Sequence, residues 1–259
     1  MSDLRNMLWI ELRKVLRSKI PLFTVLASLV MPLGIAFLIY LAKNPAISEK
    51  LGLLSAKGNL ISYSATNWQS YFGLTGETIA AGGFFLFTFA ISWVFGREFV
   101  DGTLKDMLAV PVSRLTILLA KFIVVILWSI VLALIMLVFS LVMGAIINLP
   151  QFSLSIIGTG ILMMVAAACL AILTVLPFAL FASIGRGYLL PIGIAVLALI
   201  LANLVMVLGL GSYFPWAIPL LYSQGKTAMA PVSFVIVALT GLAGIALTYL
   251  WWKLADQNR

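Results

Sequence analysis

The chain has 259 residues, of which 63% are hydrophobic and 9% charged, with 16 Lys and Arg against 8 Asp and Glu. A soluble domain carries about 25% charged residues, so this composition cannot cover a water-facing surface and calls for a bilayer as solvent. A single cysteine, Cys169, and the absence of histidine exclude an intrachain disulfide, a cysteine-based metal cluster, His-ligated metals and imidazole acid–base catalysis.

The first 20 residues read as a helix of their own. Leu4, Met7, Leu8, Leu12, Val15 and Leu16 recur at helical spacing, while Arg5, Asn6, Arg13, Lys14 and Arg17 fall largely on the remaining surface. The segment contains Asp3 and Glu11 and leads into a stretch of spanning length with no convincing cleavage site, so an interfacial amphipathic helix is expected rather than a signal peptide. Its cations would sit near anionic lipid head groups, with Pro21 at the bend into the first span.

Six apolar runs of spanning length follow: Pro21–Ala42, Gly73–Phe95, Phe122–Ile147, Leu154–Ile184, Tyr188–Leu208 and Val232–Trp252. Each meets the roughly 20 residues that a spanning helix needs. Together they leave no room for a soluble domain, so residues 1–259 are expected to form one all-α, polytopic membrane domain. Pro177 lies inside the fourth and longest run, where its missing N–H predicts a break near Thr174–Pro177.

Placing the N-terminus inside puts twelve Lys and Arg on the cytoplasmic side and leaves Lys43, Lys50, Lys57 and Lys226 outside. This bias predicts that both termini are cytoplasmic. Six of the eight acids share that side, so the surplus of eight positive charges needs no nucleic-acid partner.

Two outer segments are substantial. Lys43–Phe72 is polar and long enough for an external hairpin. The second, Gly209–Pro231, holds Phe214, Pro215, Trp216, Ala217, Ile218 and Pro219, too apolar for a solvated loop and too rich in proline for a straight span. A re-entrant hairpin packed against protein at the outer face is expected there. Gly225–Lys226–Thr227 resembles the end of a phosphate-binding loop, but Leu220 stands where that motif needs its first glycine.

Charge inside the spans is almost absent. Glu77, near the outer end of the second span, is a candidate for a cationic substrate or a wet vestibule, and equally for simple solvation at the head groups. Asn203 in the fifth span is a candidate interhelical hydrogen bonder or pathway residue. With so little buried charge to couple to an ion gradient, energy is expected to enter from outside the spans.

The connection between the second and third spans, Gly96 to Lys121, is the densest charged segment. Asp101 is expected to cap a short helix reaching Leu108, Pro111 to end it, and Ser113 to cap the next helix. Leu104, Met107 and Leu108 would form its apolar side, with Lys105 and Asp106 elsewhere. Such a helix suits docking of a cytosolic partner.

The run Arg97-Glu98, Gly102-Thr103-Leu104-Lys105, Leu108-Ala109, Pro111-Val112-Ser113-Arg114 and Lys121 resembles the first cytoplasmic loop of ATP-binding-cassette type-2 exporter permeases. It looks most like the bacterial branch handling bacitracin-type and lantibiotic substrates. The resemblance extends to the interfacial helix, the six spans, the sizeable first external segment and the apolar hairpin before the last span.

It implies a transport subunit of the bacterial cell membrane without ATPase activity, paired with a second permease subunit, identical or related. ATP and Mg would be bound by a pair of separate cytosolic ATPase subunits, not by this chain. Those subunits would dock on Glu98, Asp101, Gly102, Thr103, Leu104, Lys105, Asp106, Pro111 and Arg114, helped by the interfacial helix and the loop Gly185–Tyr188. Glu77, Asn203, Phe214, Pro215, Trp216 and Pro219 are the candidates for the pathway or outer gate. A self-contained secondary transporter or channel is the alternative.

Overall fold

A computed structural model describes residues 2–43, 67–225 and 229–254. Most of the expected first outer segment, and the end of the Gly225–Lys226–Thr227 sequence, lie outside these residues. The described chain is helical throughout its regular structure. Helix α1, Ser2–Arg17, is followed after a two-residue break by α2, Ile20–Lys43, which carries Pro21 in its first turn, where a missing N–H costs nothing.

The second span is longer than the apolar run suggested. It starts at Trp68, five residues before Gly73, because Asn67 and Ser70 form a reciprocal cap, the Asn67 side chain accepting from the Ser70 N–H at 2.9 Å. Within it, α3 (Trp68–Thr78) passes through a π turn, Ile79–Gly83, into α4 (Phe84–Val100). The turn falls on the small residues Ala80, Ala81, Gly82 and Gly83, and the Met31 side chain of α2 lies against Gly82.

Helix α5, Leu104–Ala109, lies in the connection to α6, Arg114–Ile146. The Ser113 hydroxyl accepts from the Thr116 N–H, as the sequence predicts for a cap. The 33 residues of α6 span about 50 Å, well beyond a hydrocarbon core of roughly 30 Å.

The fourth span breaks where Pro177 predicts, into α7 (Leu154–Val175) and α8 (Phe178–Ile184). Then come α9, Leu189–Val207, a 3-10 turn at Gly211–Tyr213, α10, Ile218–Gln224, and α11, Pro231–Leu254. Six helices among the described residues are long and apolar enough to cross a membrane.

The second span is the axis of the bundle, 78% buried, while the first, fifth and sixth are only 28%, 22% and 28% buried. Lipid or another subunit must cover the faces of those three. Around the axis, α3 packs on α7 and α10, and α4 on α6, α8 and α9, while α6 also receives α1 and α2. Phe84, Phe87, Phe95, Phe178 and Trp252 fill the core. Helix α11 crosses the break in the fourth span at Gly244, where an added Cβ would sit 2.5 Å from the Pro177 nitrogen, so only glycine permits the approach.

Candidate functional site

One end of the bundle collects almost every described charge. It comprises α1, the end of α4, α5, the start of α6, the α8–α9 link and the end of α11. Glu98 on α4 is only 3% exposed and Lys121 on α6 is 0% exposed. Lys121 Nζ donates to Glu98 Oε1 at 2.7 Å, to Glu11 Oε2 at 3.2 Å and to the Val94 carbonyl at 3.0 Å. All three of its N–H groups are thereby used, which is the condition for burying an ammonium group.

Lys14 closes the cluster, donating to Glu11 Oε1 at 2.7 Å and Glu98 Oε1 at 3.0 Å. Two acids and two bases balance in charge and join three elements, α1, α4 and α6. Burial works against the charged form of Lys14, but Glu11 and then Glu98 outweigh it and hold its pKa above the ordinary lysine value.

This geometry corrects one expectation. Glu98 faces the interior of its own chain, so it positions the helices flanking the loop and offers no surface to a partner. The family-like Arg-Glu pair divides its work: Glu98 turns inward, while the half-buried Arg97 reaches Asp101, its Nε donating to Asp101 Oδ2 at 3.1 Å.

Asp101 is the second correction. It does not cap α5. It ends α4, its N–H bonding the Arg97 carbonyl, and Gly102 with φ +69 makes the turn. Thr103 stands at the start of α5 without a side-chain cap. Leu104 is buried and Met107 packs on the same core, as their spacing predicts. The outward face of this connection is Asp101, Thr103, Lys105, Asp106, Ala109, Val110 and Pro111, all exposed.

Arg114 is exposed and donates to the carbonyl of Trp252. A guanidinium at a helix C-terminus meets the negative end of its dipole, so the loop also holds the last span. The Trp252 indole N–H in turn donates to Ser183 Oγ on α8 at 2.9 Å.

The link between α8 and α9 closes the site. Gly96 lies so near Gly187 that a Cβ on it would be 2.9 Å from the Gly187 carbonyl carbon and oxygen. Burial, helped by Asp101 and Glu98 and opposed by Arg97, raises the pKa of the Tyr188 phenol. The loop, the link and the ends of α1, α4, α6 and α11 therefore form one connected block.

The expected gate residues are only partly brought together. Trp216 donates its indole N–H to the Thr174 carbonyl at 3.1 Å, beside the break in the fourth span, and its ring meets Phe178 and Phe214. The expectation that this segment packs on protein holds for Trp216, for the buried Pro219 and for the half-buried Phe214 and Pro215. Helix α10 approaches α3 at Gly76, where an added Cβ would meet Ser223 at 3.2 Å, so Glu77 lies next to this contact. Glu77 is half-buried, two residues before the π turn that runs from Ile79 to Gly83.

Asn203 does not join them, nor does it bridge two helices among the described residues. It is exposed, and its amide donates to the Leu199 carbonyl one turn back on its own helix at 2.8 Å. No cluster of three or more His, Cys, Asp or Glu able to hold a metal occurs among the described residues.

Sequence reasoning missed Glu11, Lys14 and Lys121 as site residues. The signal was Glu11 between Met7 and Val15 at four-residue steps on an otherwise apolar stripe, and Lys121 among Ile117, Leu118, Val124 and Val125. A charge on a buried stripe requires a partner, though spacing alone does not say which.

A family profile described as "ABC-2 family transporter protein" matches residues 7–203, from α1 to the fifth span. The chain is also similar to the bacitracin transport permease protein BCRB of Bacillus licheniformis, 25% identical over 168 residues, which is 64% of this chain and 81% of that protein. The matched region contains the buried charge cluster and the whole of the exposed loop, and the chain belongs to the ABC-2 family of transporter membrane proteins.

Proposed function

We propose that the chain is the membrane subunit of an exporter that moves an amphipathic, antibiotic-like substrate out of a bacterial cell. The energy comes from ATP hydrolysed, with Mg, by a pair of separate ATPase subunits in the cytosol. A second permease subunit, identical or related, completes the pathway against the exposed faces of the first, fifth and sixth spans. Both termini lie in the cytoplasm, which puts the charged end of the bundle at the inner surface, α1 in the interface and the Phe214–Pro219 hairpin at the outer face. Glu77 and this hairpin form the outer gate.

The observation that supports this reading is the mounting of α5. Leu104 is buried and Met107 half-buried against the core, the Leu108 side chain lying outside what the structure describes, while Lys105 and Asp106 are exposed. The loop that contains it is tied to α1, α4, α6 and α11 through the Glu11–Lys14–Glu98–Lys121 cluster and the Arg114–Trp252 bond. A push on such a peg moves several helix ends together rather than bending a loose connector. The similarity to a bacitracin permease supports an antibiotic-like cargo.

The test is charge reversal, Lys105→Glu with Asp106→Lys. Both side chains are exposed, so folding stability should change by less than about 0.5 kcal/mol. Co-purification of the ATPase and substrate-stimulated ATP hydrolysis should be lost while the thermal midpoint of the permease stays put. Unchanged co-purification and stimulation would overturn the docking assignment.

A further inference from the structure

Beside the buried cluster, between α1 and the end of α4, lies an open cleft of about 400 Å³. Arg13, Lys14, Arg17 and Arg97 line it together with Trp9 and Ser18, and no carboxylate does. Lys14 is neutralised from behind by Glu11 and Glu98, and Arg97 is half neutralised by Asp101 through its Nε alone. Arg97 Nη1 is buried with no hydrogen-bond partner, a donor whose desolvation is uncompensated. Arg13 and Arg17 are exposed, and neither forms an ion pair with a described residue. Three guanidinium groups around one concavity, one of them holding an unused buried N–H, match the fork geometry that binds phosphate oxygens.

Two of the side chains lining the cleft are apolar and exposed, Trp9 at 62% and Ile10 at 45%. An aqueous anion makes no use of such side chains, whereas the upper part of an acyl chain does. Eight residues deeper along α4, about 12 Å by helical rise, Phe85, Phe89 and Thr88 face Phe23 and Thr24 of α2 and Ile192 of α9 across an apolar groove of about 330 Å³. Helix α4 thus borders a basic cleft at one level and an apolar groove below it.

We propose that the cleft binds the phosphate of an anionic phospholipid of the inner leaflet, with an acyl chain running toward the α2–α4 groove. The occupant bridges Arg13 and Arg17 of α1 to Arg97 of α4, across the seam that Lys14 and Glu98 close from inside. Lipid binding therefore reinforces the docking of α1 on the helix that leads into the loop. This inference rests on the proposed orientation, since only then does the charged end meet the inner leaflet.

The experiment uses the full chain in detergent, titrated with phosphatidylglycerol, phosphatidylcholine or inorganic phosphate, with thermal unfolding as the readout. Phosphatidylglycerol should stabilise the protein and the other two should not. Arg13→Gln with Arg17→Gln, both exposed positions, should unfold at the wild-type temperature without lipid and weaken the phosphatidylglycerol response about tenfold or more. Equal stabilisation by phosphatidylcholine, a full response to inorganic phosphate alone, or an unchanged response in the double variant would each overturn the proposal. ATPase co-purification with the double variant separates the two readings. If it is retained while lipid sensitivity is unchanged, the lipid site alone is wrong. If lipid sensitivity follows the proposal and no ATPase ever co-purifies, the partner assignment alone is wrong.

Discussion

Replacing Lys121 by Met tests whether the buried cluster holds the charged end together. In the wild type, Lys121 is 0% exposed and satisfies Glu98, Glu11 and the Val94 carbonyl at once. Removing its charge leaves two buried carboxylates facing the single ammonium of Lys14. Breaking a buried pair from one side costs about 3–5 kcal/mol, because the remaining charge stays desolvated. Against a typical total of about 5–15 kcal/mol, the variant should still fold, with a markedly lower thermal midpoint in detergent. Glu98→Gln should behave similarly, since it strands Lys121 and Lys14 on Glu11. The pair together should cost less than the sum, with a coupling energy between about 0.5 and 3 kcal/mol in a double-mutant cycle. In the reconstituted complex, Lys121→Met should keep its ATPase partner, because Lys105 and Asp106 remain in place, yet lose much of the substrate-stimulated turnover. A Lys121→Met protein as stable as wild type, with additive effects in the cycle, would refute the account of the cluster as a tie.

Gly96→Ala should strain the contact with Gly187, where backbone faces backbone and neither side can yield; a loss of about 1–3 kcal/mol and faster hydrogen exchange in residues 185–188 are the expected readouts. Trp216→Phe keeps the ring contacts with Phe178 and Phe214 but removes the N–H donated to Thr174, and should lower stability by about 1 kcal/mol, measured by thermal unfolding. For pH, Lys14 and Tyr188 both have pKa values raised by folding. The native state then holds protons that the unfolded chain releases, so their contribution is intact at neutral pH and is lost only as pH rises past the ordinary values of 10.0 for tyrosine and 10.5 for lysine. Phenolate absorbance should titrate late for Tyr188, by comparison with Tyr188→Phe, and an early titration would contradict the burial of that link.

The spans, the break at Pro177 and the cap at Ser113 were legible because each depends on local chemistry: twenty apolar residues, a missing N–H, a hydroxyl before a helix. The start of the second span was missed because Asn67 and Ser70 cap a polar stretch that hydropathy does not register. Glu98 was misplaced for a related reason: in sequence it falls in the charged connection between two apolar runs, and charge there reads as surface. Whether a carboxylate in such a loop points in or out depends on Lys121, 23 residues on, and on Glu11 and Lys14, more than 80 residues back. Asn203 differs in the opposite sense from one of its two readings, since a polar residue in a span reads as a bridge, and its own helix supplies the Leu199 carbonyl.

The burial of Glu98 changes what the loop is built to do. Had Glu98, Asp101, Lys105 and Asp106 all faced outward, the segment would be a charged patch on a flexible connector, able to recognise a partner but poorly able to transmit its movement. Under the proposed function, with Glu98 turned inward and fixed to α1 and α6, recognition and transmission fall to different residues only a few positions apart. Lys105 and Asp106 face the solvent on a six-residue helix, and Glu98 fixes the end of the most buried span in the bundle. Since a motion imposed at α5 reaches α4 through one turn at Gly102 and α6 through Ser113, replacing Lys121 should uncouple docking from transport, whereas reversing Lys105 and Asp106 should abolish docking itself. These two outcomes separate a rigid peg from a mere charged patch, which would lose both functions together in either variant.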